Sequence, residues 1–250
     1  MPDIKHLHID CMDYLASLPD KENNSRRILV ISDPPYGIGE DGSNNKGRTN
    51  KRSSRGAKNT RKTLIKSKDY KPYECGDNNA PGVEYFNEIK RISVNQIVWG
   101  ANHFIENIPD ANSSCWIVWD KENGLNDFAD CELAWTSFKT AVRRFKFKWH
   151  GMLQGDMKNK QERIHPNEKP IQLWKYLLTN YAKEGDLIVD THAGSCKIAI
   201  AAYDLGFDCV VCEKDKYYYD LGKADFEKHV AKYSPASEIE FNSEGQIKLF

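Results

Sequence analysis

Asp33, Pro34, Pro35, Tyr36 and Gly37 follow directly on the apolar run RRILVIS, Arg26 to Ser32. Both prolines lack an N–H, so this segment cannot extend a hydrogen-bonded ladder, and their rings stiffen the turn. The Asp33 carboxylate and the Pro34 carbonyl then become fixed acceptors at the end of a strand, beside the flat face of Tyr36. Two fixed acceptors suit an amino group with two hydrogens. A planar base bearing an exocyclic NH2 would engage all three residues. The plainer alternative is a rigid turn capped by an aspartate.

A second stretch, DTHAGS from Asp190 to Ser195, joins the strand-like DLIVD to the helix-like CKIAIAAYDLG. The next strand, FDCVVCEKD, carries an acid near its end, Glu213. Gly194 lets the backbone approach a ligand closely, and an acid at that place can accept hydrogen bonds from ribose hydroxyls. The dinucleotide fingerprint GxGxxG and the triphosphate loop GxxxxGK[ST] are both absent, which disfavours NAD and nucleoside triphosphates. Taken alone, the glycine turn reads equally well as a structural feature.

The elements that must hold these stretches alternate along the chain. IKHLHID reads as a strand and CMDYLASLPD as a helix with Asp10 at its N-cap. RRILVIS has the apolar texture of a buried parallel strand. VEYFNEIKRIS reads as a helix, and NQIVWG and CWIVWDK as strands. CELAWTSF and RRFKFKWHG alternate like antiparallel strands, a hairpin near residues 131–150. KPIQLWKYLLTNYAKEG is a helix with Pro170 at its start and Gly185 at its stop; Ile171, Trp174, Leu178 and Tyr181 share a face. KYYYDLGKADFEKHVAKY is a final helix. The expected fold is α/β: a doubly wound, Rossmann-like sheet, mostly parallel with an antiparallel hairpin, plus a basic insertion loop. Ligands bind such sheets at the carboxyl ends of the strands, where both conspicuous stretches fall.

At 250 residues, a single domain spanning residues 1–250 is expected. Charged residues at 29% and a hydrophobic set of 40% are ordinary for a soluble chain. Net charge is zero, so the distribution of charge matters more than its sum. Residues 38–79 form a basic insertion nearly free of apolar residues, expected to be mobile when alone. It carries Lys46, Arg48, Lys51, Arg52, Arg55, Lys58, Arg61 and Lys62, a footprint for a phosphate backbone beside the Asp33 turn; a solvated loop is the alternative. Residues 120–164 are a candidate target-recognition region, with Arg143 and Arg144 leading a run of basic and aromatic residues. That run reads equally as an outer strand with apolar residues in and charges out. Seven scattered cysteines suggest a reduced, cytoplasmic setting; Cys209 and Cys212 lie on a strand with their thiols on opposite sides. No metal site is expected, and no apolar run approaches the roughly 20 residues of a membrane span.

In combination and order, these motifs resemble the amino-type DNA methyltransferases, which use S-adenosylmethionine to methylate N6 of adenine or N4 of cytosine. DPPYG is similar to the catalytic motif of that family. HPNEKPIQLWKYLL followed by GDLIVDTHAGS is similar to its cofactor-binding pair, in the order of the β arrangement. The resemblance runs from about Ile4 to Glu227. It implies that Asp33, Pro34, Pro35 and Tyr36 hold and stack on a target base flipped out of double-stranded DNA. Asp190, Gly194 and Ser195 would surround the methionine part of the cofactor, and Glu213 its ribose. His165, Pro166, Lys169 and Pro170 match the segment that closes over the methionine end. Asp10 matches the acid that meets the adenine amine, and His192 is a further candidate cofactor contact.

Thr191, His192 and Cys196 stand where that family usually has Pro, Phe and Gly. The third replacement adds a side chain where the helix starts, which either alters packing alone or weakens cofactor binding. An aspartate in the first motif position leans to adenine-N6. Cytosine-N4 methylation and a DNA-binding relative with a decayed cofactor turn are the alternatives. Gln246, Leu249 and Phe250 at the end of the chain resemble the short peptide that binds the bacterial sliding clamp; the alternative is a terminal strand packed on the domain.

Overall fold

The computed structural model describes residues 1–40, 70–73, 76–123, 129–150, 153–233 and 240–248. Among these residues the main sheet has eight strands in the order β1-β10-β9-β2-β3-β5-β4-β6. These are β1 (Ile4–His8), β2 (Ile28–Ser32), β3 (Asn95–Trp99), β4 (Trp116–Asp120), β5 (Cys131–Thr136), β6 (Arg143–Lys146), β9 (Leu187–Asp190) and β10 (Asp208–Glu213). β7 (Trp149–His150) and β8 (Leu153–Gln154) form a separate small hairpin. The helices are α1 (Cys11–Ala16), α2 (Val83–Ile92), α3 (Ile171–Tyr181), α4 (Lys197–Asp204) and α5 (Lys216–Lys232).

Every residue of β2 is buried, as a strand covered on both faces requires. Its side chains alternate. Leu29 and Ile31 enter one core with Ile97, Trp99, Ile117 and the buried faces of α3 and α4. Ile28 and Val30 enter the other with Val98, Val189 and residues of α1 and α2. β1, β10, β9, β2 and β3 run parallel. The chain leaves β2 for β3 on one side and β9 for β10 on the other, so the order reverses between β2 and β9. That reversal opens a crevice at their carboxyl ends, the place where such sheets bind ligands.

The fold is the α/β sheet anticipated above, with one difference in the antiparallel part. β5 pairs antiparallel with β3 and with β4, and β6 pairs parallel with β4. β5 and β6 are therefore separated by β4 and do not form a hairpin with each other. β4 is apolar enough to be covered on both sides, and it takes the inner place that the exposed, charged β6 cannot. β6 lies at the edge with Arg143 and Arg144 exposed, while Phe145 packs on Tyr176 with ring centroids 4.9 Å apart. Phe145 thus packs inward, while Arg143, Arg144 and Lys146 are exposed.

The last described residues also pack on the domain. Phe241 and Ile247 bridge to each other and lie against the core, and the Gln246 amide donates to the Asn180 carbonyl at 2.5 Å. That placement fits the terminal-strand alternative for the tail. Leu249 and Phe250 lie outside the described residues, as do the basic residues Lys46 to Lys62. Among the described residues no helix is long and apolar enough to cross a membrane.

Candidate active site

The two conspicuous stretches meet at the β2/β9 crevice. Ser32 ends β2 and Thr191 follows β9, and their hydroxyls are 2.8 Å apart. The Tyr85 hydroxyl, from α2, donates to Ser32 Oγ at 2.9 Å and lies 2.7 Å from Thr191 Oγ1. His192 Nδ1 completes the cluster at 3.1 Å from Ser32 Oγ and 3.0 Å from Thr191 Oγ1. Burial pulls the His192 pKa down to about 4, so the ring is neutral at pH 7 and suited to this hydroxyl network. Thr191 and His192 therefore tie the two turns together.

Asp33 points into the crevice with both oxygens engaged. Oδ1 accepts from the Tyr36 hydroxyl at 2.7 Å, and Oδ2 lies 2.5 Å from Lys169 Nζ. Burial raises the Asp33 pKa against the opposing pull of Lys169, which makes this carboxylate a better proton acceptor than a surface one. Lys169 is 4% exposed and also donates to the Tyr36 hydroxyl at 3.1 Å. Burial pulls the Lys169 pKa down, but Asp33 and Glu132 outweigh it and keep the ammonium charged. Glu132, from β5, places Oε2 3.1 Å from Lys169 Nζ and pairs its other oxygen with Lys121. Burial works against ionisation of Glu132, yet the two lysines prevail and hold its pKa at about 2.

The turn itself is locked from outside. The Asp77 carboxylate accepts from the backbone N–H of Tyr36 at 2.6 Å, Gly37 at 2.9 Å, Ile38 at 3.3 Å and Glu40 at 3.0 Å. Pro34 is buried and Pro35 partly so. The Tyr36 ring stacks on His103 with centroids 5.3 Å apart and lies against Gly100. Gly100 has φ +70°, and a Cβ there would run into the Tyr36 ring, so only glycine suits this position.

Around the second stretch, Asp190 is buried and accepts from the His192 N–H at 3.0 Å; burial raises its pKa to about 8. Glu213 accepts from Gly194 N–H at 2.7 Å and from Asp215 N–H at 2.7 Å, and burial raises it as well. Each carboxylate oxygen retains a further lone pair for a hydroxyl donor. Gly194 has φ +50° and faces the His165 ring. His165 lies between Tyr73 and Tyr218, and burial takes its pKa down to about 3. Ser195 is buried. Cys196 adopts φ +54°, the left-handed conformation that normally calls for glycine. Its thiol serves packing, because Gly222 of α5 leaves the space: a Cβ there would lie 2.7 Å from Sγ.

Asp10 follows β1, caps α1 by accepting from Met12 N–H at 2.9 Å, and pairs with Lys214 at 2.7 Å. Pro166 gives its carbonyl to Arg163 at 2.9 Å, and Pro170 caps α3. Asp33, Tyr36 and Lys169 thus converge on one cluster, and Asp190, Gly194 and Glu213 on a second beside it. Arg143 and Arg144 stand apart, on the sheet edge.

Residues 28–224 match the family model for DNA methylases of the N6/N4 type, well over half of the chain. The chain belongs to the N6/N4 DNA methylase family. Solved structures share the fold of this methylase over nearly its whole length. TTHA0409 from Thermus thermophilus, described as a DNA modification methylase, gives a TM-score of 0.51 at 15% identity, covering 94% of this chain and 98% of that one. The PvuII DNA methyltransferase, cytosine-N4-specific, gives 0.52 at 11% identity over 94% and 96%. M1.HpyAVI gives 0.50 at 16% identity over 93% and 100%. At such identities the likeness is one of fold. No curated protein matches the methylase by sequence.

Glu132, Lys121, Asp77, Gly100, Tyr85 and Ser32 did not emerge from sequence reasoning. An acid inside the otherwise apolar strand CELAW, and a glycine directly after NQIVW, were the available signals.

Proposed function

We propose that the chain is a DNA adenine-N6 methyltransferase that uses S-adenosylmethionine and takes its target base, flipped from the duplex, onto Tyr36. The observation that carries this reading is the Asp33–Tyr36 pair, 2.7 Å apart, at the crevice edge next to the acid-bearing turns of β9 and β10.

The residues fit the cofactor. Asp190, Gly194 and Ser195 would hold its methionine part, with His165 packed on Gly194. Glu213 would accept from the ribose hydroxyls, and Asp10 from the adenine amine. Bound S-adenosylmethionine would supply an electrophilic methyl on a sulfonium, with the neutral thioether as the leaving group. Asp33 and the Pro34 carbonyl accept the two amino hydrogens, favour a tetrahedral nitrogen, and stabilise the positive charge that grows on it. Asp33, already raised by burial, is placed to take the released proton. Tyr36, fixed by Asp77, Gly100 and His103, holds the base plane. The hydroxyl network of Thr191 and His192, and the fit of Cys196 against Gly222, support an intact turn over a decayed one.

Aspartate at the first motif position favours adenine over cytosine. The basic residues Lys46 to Lys62, with Arg143 and Arg144, would bind the DNA backbone. The test is transfer of labelled methyl from S-adenosylmethionine to mixed-sequence duplex DNA, with the product identified by mass. N6-methyladenine is expected. N4-methylcytosine as the product would make cytosine the substrate base in place of adenine. Absence of both, together with failure to bind the cofactor, would overturn the reading.

A further inference from the structure

The site as it stands presents a conflict. Asp33 must accept hydrogens from an amino nitrogen that turns positive, yet the Lys169 ammonium sits 2.5 Å from Asp33 Oδ2. Like charges this close, away from water, oppose each other strongly. Lys169 is 4% exposed and cannot move its charge into solvent. It needs an anionic partner within reach.

Glu132 provides one. Among the described residues it is the other carboxylate in ion-pair contact with Lys169, at 3.1 Å. Oε2 is buried and faces the Lys169 ammonium across this contact. Its second oxygen is held by Lys121, which fixes the carboxylate in place. The Trp99 and Tyr36 rings lie 5.4 and 5.6 Å from Nζ and keep the ammonium in a favourable environment between the two acids. The arrangement is a chain, Lys121–Glu132–Lys169–Asp33–Tyr36, with the Lys169 ammonium between two carboxylates.

We propose that Glu132 is a positioning residue for methyl transfer: it takes over Lys169 when Asp33 turns its carboxylate to the amino group of the base. In the resting site Lys169 holds Asp33. On base capture the ammonium shifts to Glu132 Oε2, and the Asp33 oxygen it leaves becomes free to accept the amino hydrogen. The inference rests on the methyl-transfer reading above.

A double-mutant cycle tests it, using single-turnover transfer of labelled methyl to mixed-sequence duplex DNA. Glu132→Gln should slow transfer by about tenfold, within the range of coupled neighbouring side chains. Affinity for S-adenosylmethionine, measured by calorimetry, should not change. In a Lys169→Met background the same substitution should change the rate by less than about twofold, because there is no ammonium left to hold. If Glu132→Gln does not fold, Glu132→Asp serves in its place, since it keeps the charge and shortens the reach. A full-rate Glu132 variant, or an equal loss in both backgrounds, would overturn the relay and leave the functional reading standing. A wild-type protein that transfers no methyl would overturn the functional reading, and the relay with it.

Discussion

In the proposed reaction Asp33 is the residue that accepts from the amino group, and Tyr36 and Lys169 hold its two oxygens. Replacing it by alanine removes the acceptor that strengthens as charge develops. Asp33→Ala should cut methyl transfer by about a hundredfold or more, with the fold retained by circular dichroism. Full activity in that variant would contradict the assignment. Cys196 makes a different point. A side chain in left-handed backbone costs about 1 kcal/mol, and Gly222 accommodates it on the neighbouring helix. Gly222→Ala should therefore destabilise by about 1–3 kcal/mol through overpacking. In a Cys196→Gly background the cost should fall to less than half, because the sulfur 2.7 Å away is gone. Equal costs in both backgrounds, read by denaturant unfolding, would show that the two residues are not coupled.

At the scale of elements, the end of β9 buries an acid. The Asp190 pKa is raised by burial from its ordinary 3.8 to about 8, so the native state holds this proton more tightly than the unfolded chain. Its contribution is full below the ordinary value and is lost as pH rises through about 8. Asp190→Asn, which mimics the protonated acid, should match wild-type stability near pH 4 and exceed it by a few kcal/mol near pH 8. A difference that does not change with pH would contradict this. The insertion is the other element with a defined test. Asp77 fastens its far end to the Asp33 turn through four backbone N–H groups, so its basic middle can be removed without loosening the turn. Deleting residues 46–62 should weaken DNA binding. It should also flatten the salt dependence by about 0.9 in log–log slope for each phosphate no longer neutralised. An unchanged slope would return the run to a solvated loop.

At the scale of the molecule, one ligand touching the ends of β1, β9 and β10 would tie together strands that the chain reaches from opposite termini. S-adenosylmethionine at about a hundred times its Kd should stabilise the fold by about 2.7 kcal/mol, read as a rise in Tm. No shift at saturating concentration would count against the cofactor assignment. The strands and helices were legible because their burial has a simple period. ILVIS reads as a doubly covered strand, and five buried residues of α3 follow a helical repeat. The partner of β6 was not legible, because neighbours in sequence need not pair.

Local chemistry is written locally. DPPYG must be a stiff turn because of its prolines, DTHAGS must bend at Gly194, and both must lie at strand ends because apolar runs precede them. Those facts, with their order along the chain, were enough to identify the family. Sequence alone was silent on what reaches those turns from far away: Lys169 on Asp33 with Glu132 behind it, Asp77 on the backbone of Tyr36, Gly100 under its ring, Gly222 beside Cys196. Each of these is a meeting of side chains or backbone brought together only when the sheet and the helices on it are assembled. Such meetings depend on distances of a few ångströms across the core, which no spacing along the chain encodes.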